Sequence, residues 1–129
     1  RIVSSLDHYN RIFDRVSSEA NRMIFCQGCV AEMGGDVCAA IREMAGKGRI
    51  EYVHFRNIRG NPPDQFQEVF VDEGDQDMVQ AMQAYKEAGF NGPYMMDHSP
   101  QFPDKDDSFK AGKAYAIGYI RALIQTVYR

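Results

Sequence analysis

The sequence predicts an α/β fold built on a parallel sheet. Strand-like runs occur three times, at residues 23–26, 52–54 (within a strand predicted over 50–57) and 94–97, and each is followed by a segment whose apolar residues recur at helical spacing. Polar or glycine-containing turns punctuate these segments. Because strand–helix alternation brings successive strands together side by side, we expect a parallel sheet with right-handed crossovers.

The helices and loops complete this pattern. The helix before the first strand can be capped by Ser4 or Ser5. Four helices are predicted, over residues 4–20, 36–46, 75–88 and from about 108 onward. The apolar residues that should face inward are, on the second helix, Val37, Ala40, Ile41 and Met44, and on the third, Met78, Val79, Met82 and Tyr85. The stretch 59–74 is long and polar for a strand-to-helix loop, and loops of that size in a compact α/β domain are usually functional.

Each strand-like run ends on a residue that can bind a metal. Cys26, His54 and Asp97 are 28 and 43 residues apart along the chain, yet all three stand at carboxyl ends of predicted parallel strands. In α/β barrels the chemistry lies at that end of the strands, so the three side chains should converge. A thiolate, an imidazole and a carboxylate together suit a first-row transition ion such as zinc, iron or manganese.

The chain length suggests part of a barrel. A closed barrel of eight strand–helix units typically takes about 250 residues, whereas this chain has 129. The chain also begins at Arg1 and runs directly into structured-looking sequence. We therefore expect residues 1–129 to be the C-terminal part of one catalytic barrel domain, about its last three strand–helix units, with the N-terminal part outside this chain. The alternative is a complete small α/β sandwich.

Composition excludes several classes of partner. The net charge is −3 with both signs interspersed, so no basic surface suggests nucleic acid. No apolar run approaches the roughly 18 residues of a membrane span. Cys26-x-x-Cys29 alone would suggest a redox or zinc half-site, but we interpret Cys29 and Cys38 as small buried residues. Free cysteines favour a reducing, cytoplasmic location.

Two further residues extend the predicted site. His98 follows Asp97 where the strand should end, so its imidazole can reach over the metal as an acid or base, or else lie hydrogen-bonded on the surface. Arg56 lies two residues beyond His54 on the same face. Arg56 can bind a substrate carboxylate through two parallel hydrogen bonds, or it can form a salt bridge across the barrel mouth. In the first case we expect Asn57, the next residue, to bind substrate as well.

The chain resembles the mannonate dehydratase family. The resemblance spans nearly the whole chain, and the three strand-end motifs occur in order with suitable spacing. It rests on Phe25-Cys26-Gln27-Gly28, Val53-His54-Phe55-Arg56-Asn57, Asp97-His98, the run at 68–75 and Ala116-Ile117-Gly118-Tyr119.

This resemblance implies a (β/α)8 barrel of the xylose-isomerase-like kind that converts D-mannonate to 2-keto-3-deoxy-D-gluconate and water, in hexuronate catabolism, with Fe²⁺ or Mn²⁺. Cys26, His54 and Asp97 would then be metal ligands, and His98 a catalytic acid or base. The family's remaining metal-binding histidine lies on an earlier strand that this chain lacks. Some members carry a tyrosine after Asp-His, and residues 99–108 offer no equivalent. A homo-oligomer, most simply a dimer, is expected for the whole enzyme.

Two other functions remain open from the residues alone. One is a different metal-dependent sugar isomerase or epimerase on the same barrel, although such sites more often use carboxylates and histidines, so Cys26 argues against it. The other is a non-catalytic fragment of a barrel.

Overall fold

The computed structural model describes residues 2–62, 64–100 and 108–129. Helices and strands alternate along them in the predicted manner. The five helices of this part of the chain are α1 (Leu6–Arg15), α2 (Gln27–Glu32), α3 (Val37–Gly46), α4 (Met78–Glu87) and α5 (Ser108–Val127). Its five strands are β1 (Met23–Cys26), β2 (Ile50–His54), β3 (Ile58–Asn61), β4 (Gln65–Glu68) and β5 (Tyr94–Met95). None of these helices is long and apolar enough to cross a membrane.

The three predicted strands form one parallel sheet, which confirms the α/β prediction. The strand order is β1-β2-β5, with β2 in the centre. Cys26 pairs in register with His54, and His54 pairs with Met95. The carboxyl ends of all three strands therefore meet at one edge of the sheet.

One face of this sheet packs against the helices. Phe25 on β1 and Val53 on β2 are fully buried, as is Tyr85 on α4. The ring of Tyr85 meets Phe25 edge-to-face at 6.1 Å between centroids, and it meets Tyr94 in the same way at 5.4 Å. Edge-to-face contacts of this kind add to the stabilisation from apolar burial. This aromatic core fixes α4 across the strands that carry the site.

Two predicted helices bury the faces that their spacing indicates, with one exception. On α3 the predicted residues are all buried: Val37, Ala40, Ile41 and Met44. On α4, Met78, Met82 and Tyr85 are buried, but Val79 is 42% exposed. The buried residues Met78, Ala81, Met82 and Tyr85 share one side of α4, and Val79 lies about 100° around the helix from Met78, outside that side.

The first helix is shorter than predicted. It ends at Arg15 rather than continuing to residue 20. The side-chain amide of Asn21 donates to the carbonyls of Ile12 (3.3 Å) and Val16 (3.0 Å), which satisfies acceptors that a helix end leaves open. The Asn21 side chain, which lies beyond the helix in the sequence, thus caps the end of α1. The spacing of apolar residues does not reveal such a cap.

The second strand is also shorter than predicted, and a hairpin replaces the predicted loop after it. Strand β2 ends at His54, where the N–H of Arg56 turns back to the His54 carbonyl. Within the stretch 59–74, β3 and β4 pair as an antiparallel hairpin. Gly60 is needed there, because its φ is +133° and a Cβ would lie 2.6 Å from the Gln65 carbonyl oxygen. The hairpin residues are mostly polar, so they lack the alternation that reveals a strand.

A short helix directly follows β1, where the sequence predicted a turn. Helix α2 starts at Gln27 and includes Gly28, a residue with low helix propensity. A Cβ on Gly28 would lie 2.8 Å from Cδ and Nη1 of Arg56. The glycine is therefore required for close approach of the Arg56 side chain to α2.

The side chain of Asn57 organises the chain between the hairpin and α4. Its Nδ2 donates to the carbonyls of Val71 (3.1 Å) and Gln76 (3.0 Å), and its Oδ1 accepts from the N–H groups of Ile58 (3.0 Å) and Gln76 (3.1 Å). Asn57 is 1% exposed. A Cβ on Gly74 would lie 2.1 Å from Asn57 Oδ1, so the backbone closes tightly around this amide.

We expect Asn57→Ala to lower the free energy of unfolding by about 2–3 kcal/mol, because buried backbone groups lose their partners. Chemical denaturation of the full-length protein measures this. The control is Asn61→Ala, since Asn61 is exposed on β3 and should tolerate the change. Equal stability of the two variants would contradict the structural role of the Asn57 amide.

Candidate metal centre

The three predicted metal ligands converge at the carboxyl edge of the sheet. One donor atom each from Cys26, His54 and Asp97 lie within 4.8 Å of one another. Cys26 Sγ is 3.5 Å from Asp97 Oδ2, and His54 Nδ1 is 3.5 Å from the same oxygen. The parallel register causes this convergence, because Cys26 and His54 are paired and Asp97 comes two residues after Met95, the partner of His54.

The donor set fits a transition metal. Ligand atoms about 2.0–2.3 Å from one ion lie at most about 4.6 Å apart, and both the Cys26 Sγ and the His54 Nδ1 atoms are 3.5 Å from Asp97 Oδ2. Thiolate, imidazole and carboxylate together favour zinc, iron or manganese over magnesium or calcium. All three side chains are partly buried. The arrangement can therefore hold an ion while leaving positions for other ligands.

The Cys26 thiol must lose its proton to bind a metal. The hydrogen bond with Cys29 and burial raise the pKa of Cys26 above its ordinary value, whereas Arg56 acts in the opposite direction. A metal ion must therefore displace this proton, so binding at this site should release a proton. Cys29 and Cys38, predicted to be buried, are only partly buried.

The sheet face that carries the ligands is open in the described part of the chain. Ile24 shares the Cys26 face of β1 and is 46% exposed, and Met95 beside His54 is 51% exposed. Tyr52 lies on this face too, with its ring 5.4 Å from that of His54. Parallel sheets are normally covered on both faces.

Arg56 lies beneath the site in a nearly closed pocket of carboxylates and thiols. Its side chain is 4% exposed, and Nη1 donates to Glu32 Oε1 at 2.8 Å. Nε donates to Glu68 Oε2 at 2.9 Å, and Nη2 donates to Glu68 Oε1. Nη1 also lies 3.9 Å from Cys26 Sγ and 3.7 Å from Cys29 Sγ. Burial alone would lower the pKa of Arg56, but the hydrogen bonds to Glu68 and Glu32 raise it.

The predicted substrate-binding role of Arg56 and Asn57 stays a prediction. Each nitrogen of the Arg56 guanidinium donates to a carboxylate of the protein. The Asn57 amide is bonded to backbone groups on both its oxygen and its nitrogen. Of the two interpretations of Arg56, the salt-bridge geometry is the one present in the structure.

His98 lies at the edge of the same cluster. Its side chain is 58% exposed, Nε2 is 3.6 Å from Asp97 Oδ1, and Nδ1 is 3.2 Å from Glu68 Oε1. Burial would raise the pKa of Glu68, but hydrogen bonds from Arg56 and His98 outweigh it and hold that pKa below its usual range. Glu68 is therefore an anionic acceptor near neutral pH.

Sequence reasoning missed the two carboxylates, Glu32 and Glu68. A signal for Glu32 exists, because it is an isolated acid in the otherwise apolar run Cys29-Val30-Ala31-Glu32-Met33. Glu68 lies in the polar stretch that was predicted to be functional, but nothing local distinguishes it from its neighbours. The absence of a tyrosine at 99–108 concerns residues that lie mostly outside the described part of the chain.

Curated proteins similar to this chain are mannonate dehydratases. Mannonate dehydratase 2 of Halalkalibacterium halodurans is 34% identical over 101 residues, which cover 76% of this chain and 29% of that protein. The mannonate dehydratase of Enterococcus faecalis is 34% identical over 126 residues, or 95% of this chain and 33% of that protein. The chain thus spans about a third of the length of these relatives.

A solved structure shares the fold. The mannonate dehydratase from Streptococcus suis serotype 2 superimposes with a TM-score of 0.77 at 23% sequence identity. The match covers 98% of this chain and 39% of that one.

A family model, D-mannonate dehydratase (UxuA), matches residues 1–129, the whole length of the chain. The matched range includes Cys26, His54 and Asp97, whose donor atoms the structure brings within 4.8 Å of one another. The chain therefore belongs to the D-mannonate dehydratase family.

Proposed function

We propose that this chain is part of a metal-dependent hydro-lyase that converts D-mannonate to 2-keto-3-deoxy-D-gluconate and water. The observation that carries the proposal is the convergence of Cys26, His54 and Asp97 within 4.8 Å. Family membership supports the substrate, because the similar curated proteins are mannonate dehydratases.

The proposed architecture is the C-terminal part of a (β/α)8 barrel of the xylose-isomerase-like kind, formed by residues 1–129. The parallel order β1-β2-β5 supports it, as does the location of the ligands at the carboxyl edge of the sheet. The exposed Ile24 and Met95 side chains fit a face that lines a barrel interior. In that arrangement further strands would lie beside β1 and β5 and cover this face.

Fe²⁺ or Mn²⁺ is the proposed metal, held by Cys26, His54 and Asp97 with a further histidine from outside the chain. When bound, such an ion acts as a Lewis acid toward the oxygens of the sugar acid. Removing the proton at C2 develops negative charge on the neighbouring carboxylate, and the C3 hydroxyl leaves only if it is protonated. The protein must therefore accept one proton and donate another.

His98 is the proposed group for one of these transfers. Its Nε2 is directed toward Asp97, at 3.6 Å, and its 58% exposure leaves the ring open to substrate. Nδ1 is occupied by Glu68, so the transfer occurs at Nε2. The proposed partner is a small sugar acid, and a homodimer in the cytoplasm stays our expectation for the whole enzyme.

The reaction itself is the first test. We expect the full-length protein, supplied with Mn²⁺ or Fe²⁺, to convert D-mannonate to a 2-keto-3-deoxy acid. Mass spectrometry should detect a product that is lighter than the substrate by one water, about 18 mass units. Protein treated with a chelator should lose this activity and regain it when the ion returns. Interconversion of sugars without a dehydrated product would instead identify an isomerase or epimerase.

Cys26→Ser tests the metal centre. We expect the variant to lose most of its bound metal and its turnover, because a hydroxyl replaces the only thiolate among the three ligands. Elemental analysis of the purified protein measures metal content. Cys38→Ser is the matched control, since Cys38 lies on α3 outside the ligand group. Unchanged metal content in Cys26→Ser would exclude the proposed centre.

His98→Asn separates proton transfer from metal binding. We expect nearly normal metal content with turnover reduced about 100-fold or more, the usual effect of losing a general acid or base. His8→Asn on α1 serves as the control, because His8 lies outside the ligand group. Loss of metal from His98→Asn would mean that His98 is a ligand and that its proposed role is wrong.

A further inference from the structure

Glu68 connects the buried charge of Arg56 to the exposed ring of His98. Its Oε1 accepts from both Arg56 Nη2 and His98 Nδ1, while its Oε2 accepts from Arg56 Nε. Glu68 is the last residue of β4, so the hairpin brings this carboxylate to the site from outside the parallel sheet. Arg56 thus holds the carboxylate from the buried side, and Oε1 accepts a hydrogen bond from His98 on the exposed side.

The support of Glu68 is rigid. Two guanidinium nitrogens bind its two oxygens, a bidentate pairing that fixes orientation as well as position. The guanidinium is in turn held by Glu32 at 2.8 Å, and both of those side chains are at least 95% buried. Gly28 leaves the space in which the Arg56 side chain lies against α2.

His98 needs such a partner. It follows β5 in a segment without regular structure, and its side chain is more than half exposed. A ring in that position can rotate and can carry its proton on either nitrogen. A hydrogen bond from Nδ1–H to a fixed carboxylate selects one orientation and one tautomer, as carboxylates do for catalytic histidines elsewhere.

We propose that Glu68 positions His98: its carboxylate, held by Arg56, accepts a hydrogen bond from Nδ1–H of the imidazole, and Nε2, on the side of the ring facing Asp97, is left to take a proton from the substrate or give one to it. This inference rests on the proposed function. Glu68 is a positioning residue in it, because it acts through its hydrogen bond to His98 and is not one of the three candidate ligands.

The kinetic test is Glu68→Ala in the full-length protein. We expect kcat to fall about tenfold or more with KM and metal content nearly unchanged, because substrate still binds while His98 loses its orientation. Gln67→Ala is the matched control, since Gln67 is the exposed neighbour on β4 and its removal leaves the carboxylate in place. A loss of bound metal, or a rise in KM alone, in Glu68→Ala would overturn the proposal.

A double-mutant cycle distinguishes positioning from general support of the hairpin. With Asn at position 98, removal of the Glu68 carboxylate should reduce kcat by no more than about twofold, because the ring that it orients is already absent. A reduction by the same factor in both backgrounds would show that Glu68 acts independently of His98.

The tautomer can be measured without turnover. In metal-free protein labelled with ¹⁵N-histidine, the His98 signals are identified by their loss in His98→Asn. In the neutral ring at alkaline pH we expect the Nδ1–H tautomer in the wild type, and the Nε2–H tautomer that free histidine favours in Glu68→Ala. The Nε2–H tautomer in the wild type would refute the inference, whether or not Glu68→Ala folds.

These measurements also separate this inference from the proposed function. Full turnover in His98→Asn, or no dehydration of D-mannonate by the wild type, contradicts the proposed function. The tautomer measurement still decides the contact between Glu68 and His98 in that case.

Discussion

The Arg56 guanidinium, buried between Glu32 and Glu68, is the interaction on which the arrangement of the site depends. Isolated charges are costly to bury, so a guanidinium that is 4% exposed requires carboxylate partners on more than one side. The two acids come from α2 and β4, so one side chain just beyond the end of β2 joins the sheet, a helix and the hairpin. Without Glu68 the nitrogen beside Cys26, Nη1, would still be held by Glu32 at 2.8 Å, whereas loss of both acids would leave the buried charge uncompensated.

This ion-pair cluster lies directly beneath the candidate metal ligands. Nη1 of Arg56 is 3.9 Å from Cys26 Sγ, close enough to favour the thiolate that metal binding requires. Through Glu68 the same guanidinium reaches His98, the proposed group for proton transfer. The metal-binding and proton-transfer parts of the site thus share one buried support.

The parallel sheet contributes geometry rather than charge. Its register pairs Cys26 with His54, and β5 delivers Asp97 to the same edge. The aromatic packing of Phe25, Tyr85 and Tyr94 holds the strands from the other face. The ligands lie on the opposite face of the sheet, which also carries the exposed apolar residues Ile24 and Met95.

The sequence by itself determined the parallel α/β pattern and the three candidate ligands. Both depend on local sequence: a strand-like run that carries Cys26 or His54 near its carboxyl end is visible in a few neighbouring residues, and parallel strands share a carboxyl edge by geometry. Family membership followed from the same motifs. The burial of Val37, Ala40, Ile41 and Met44 on α3 was predictable for this reason too.

Only the tertiary structure decided the partners of Arg56, the hairpin and the end of α1. The pairs of Arg56 with Glu32 and Glu68 span 24 and 12 residues, and a charged side chain carries no local sign of which distant charge it will meet. The hairpin strands are mostly polar, and α1 ends where the Asn21 side chain caps it. These features depend on contacts between residues that are distant along the chain. Such contacts exist only after the backbone has folded, so no local sequence pattern reveals them.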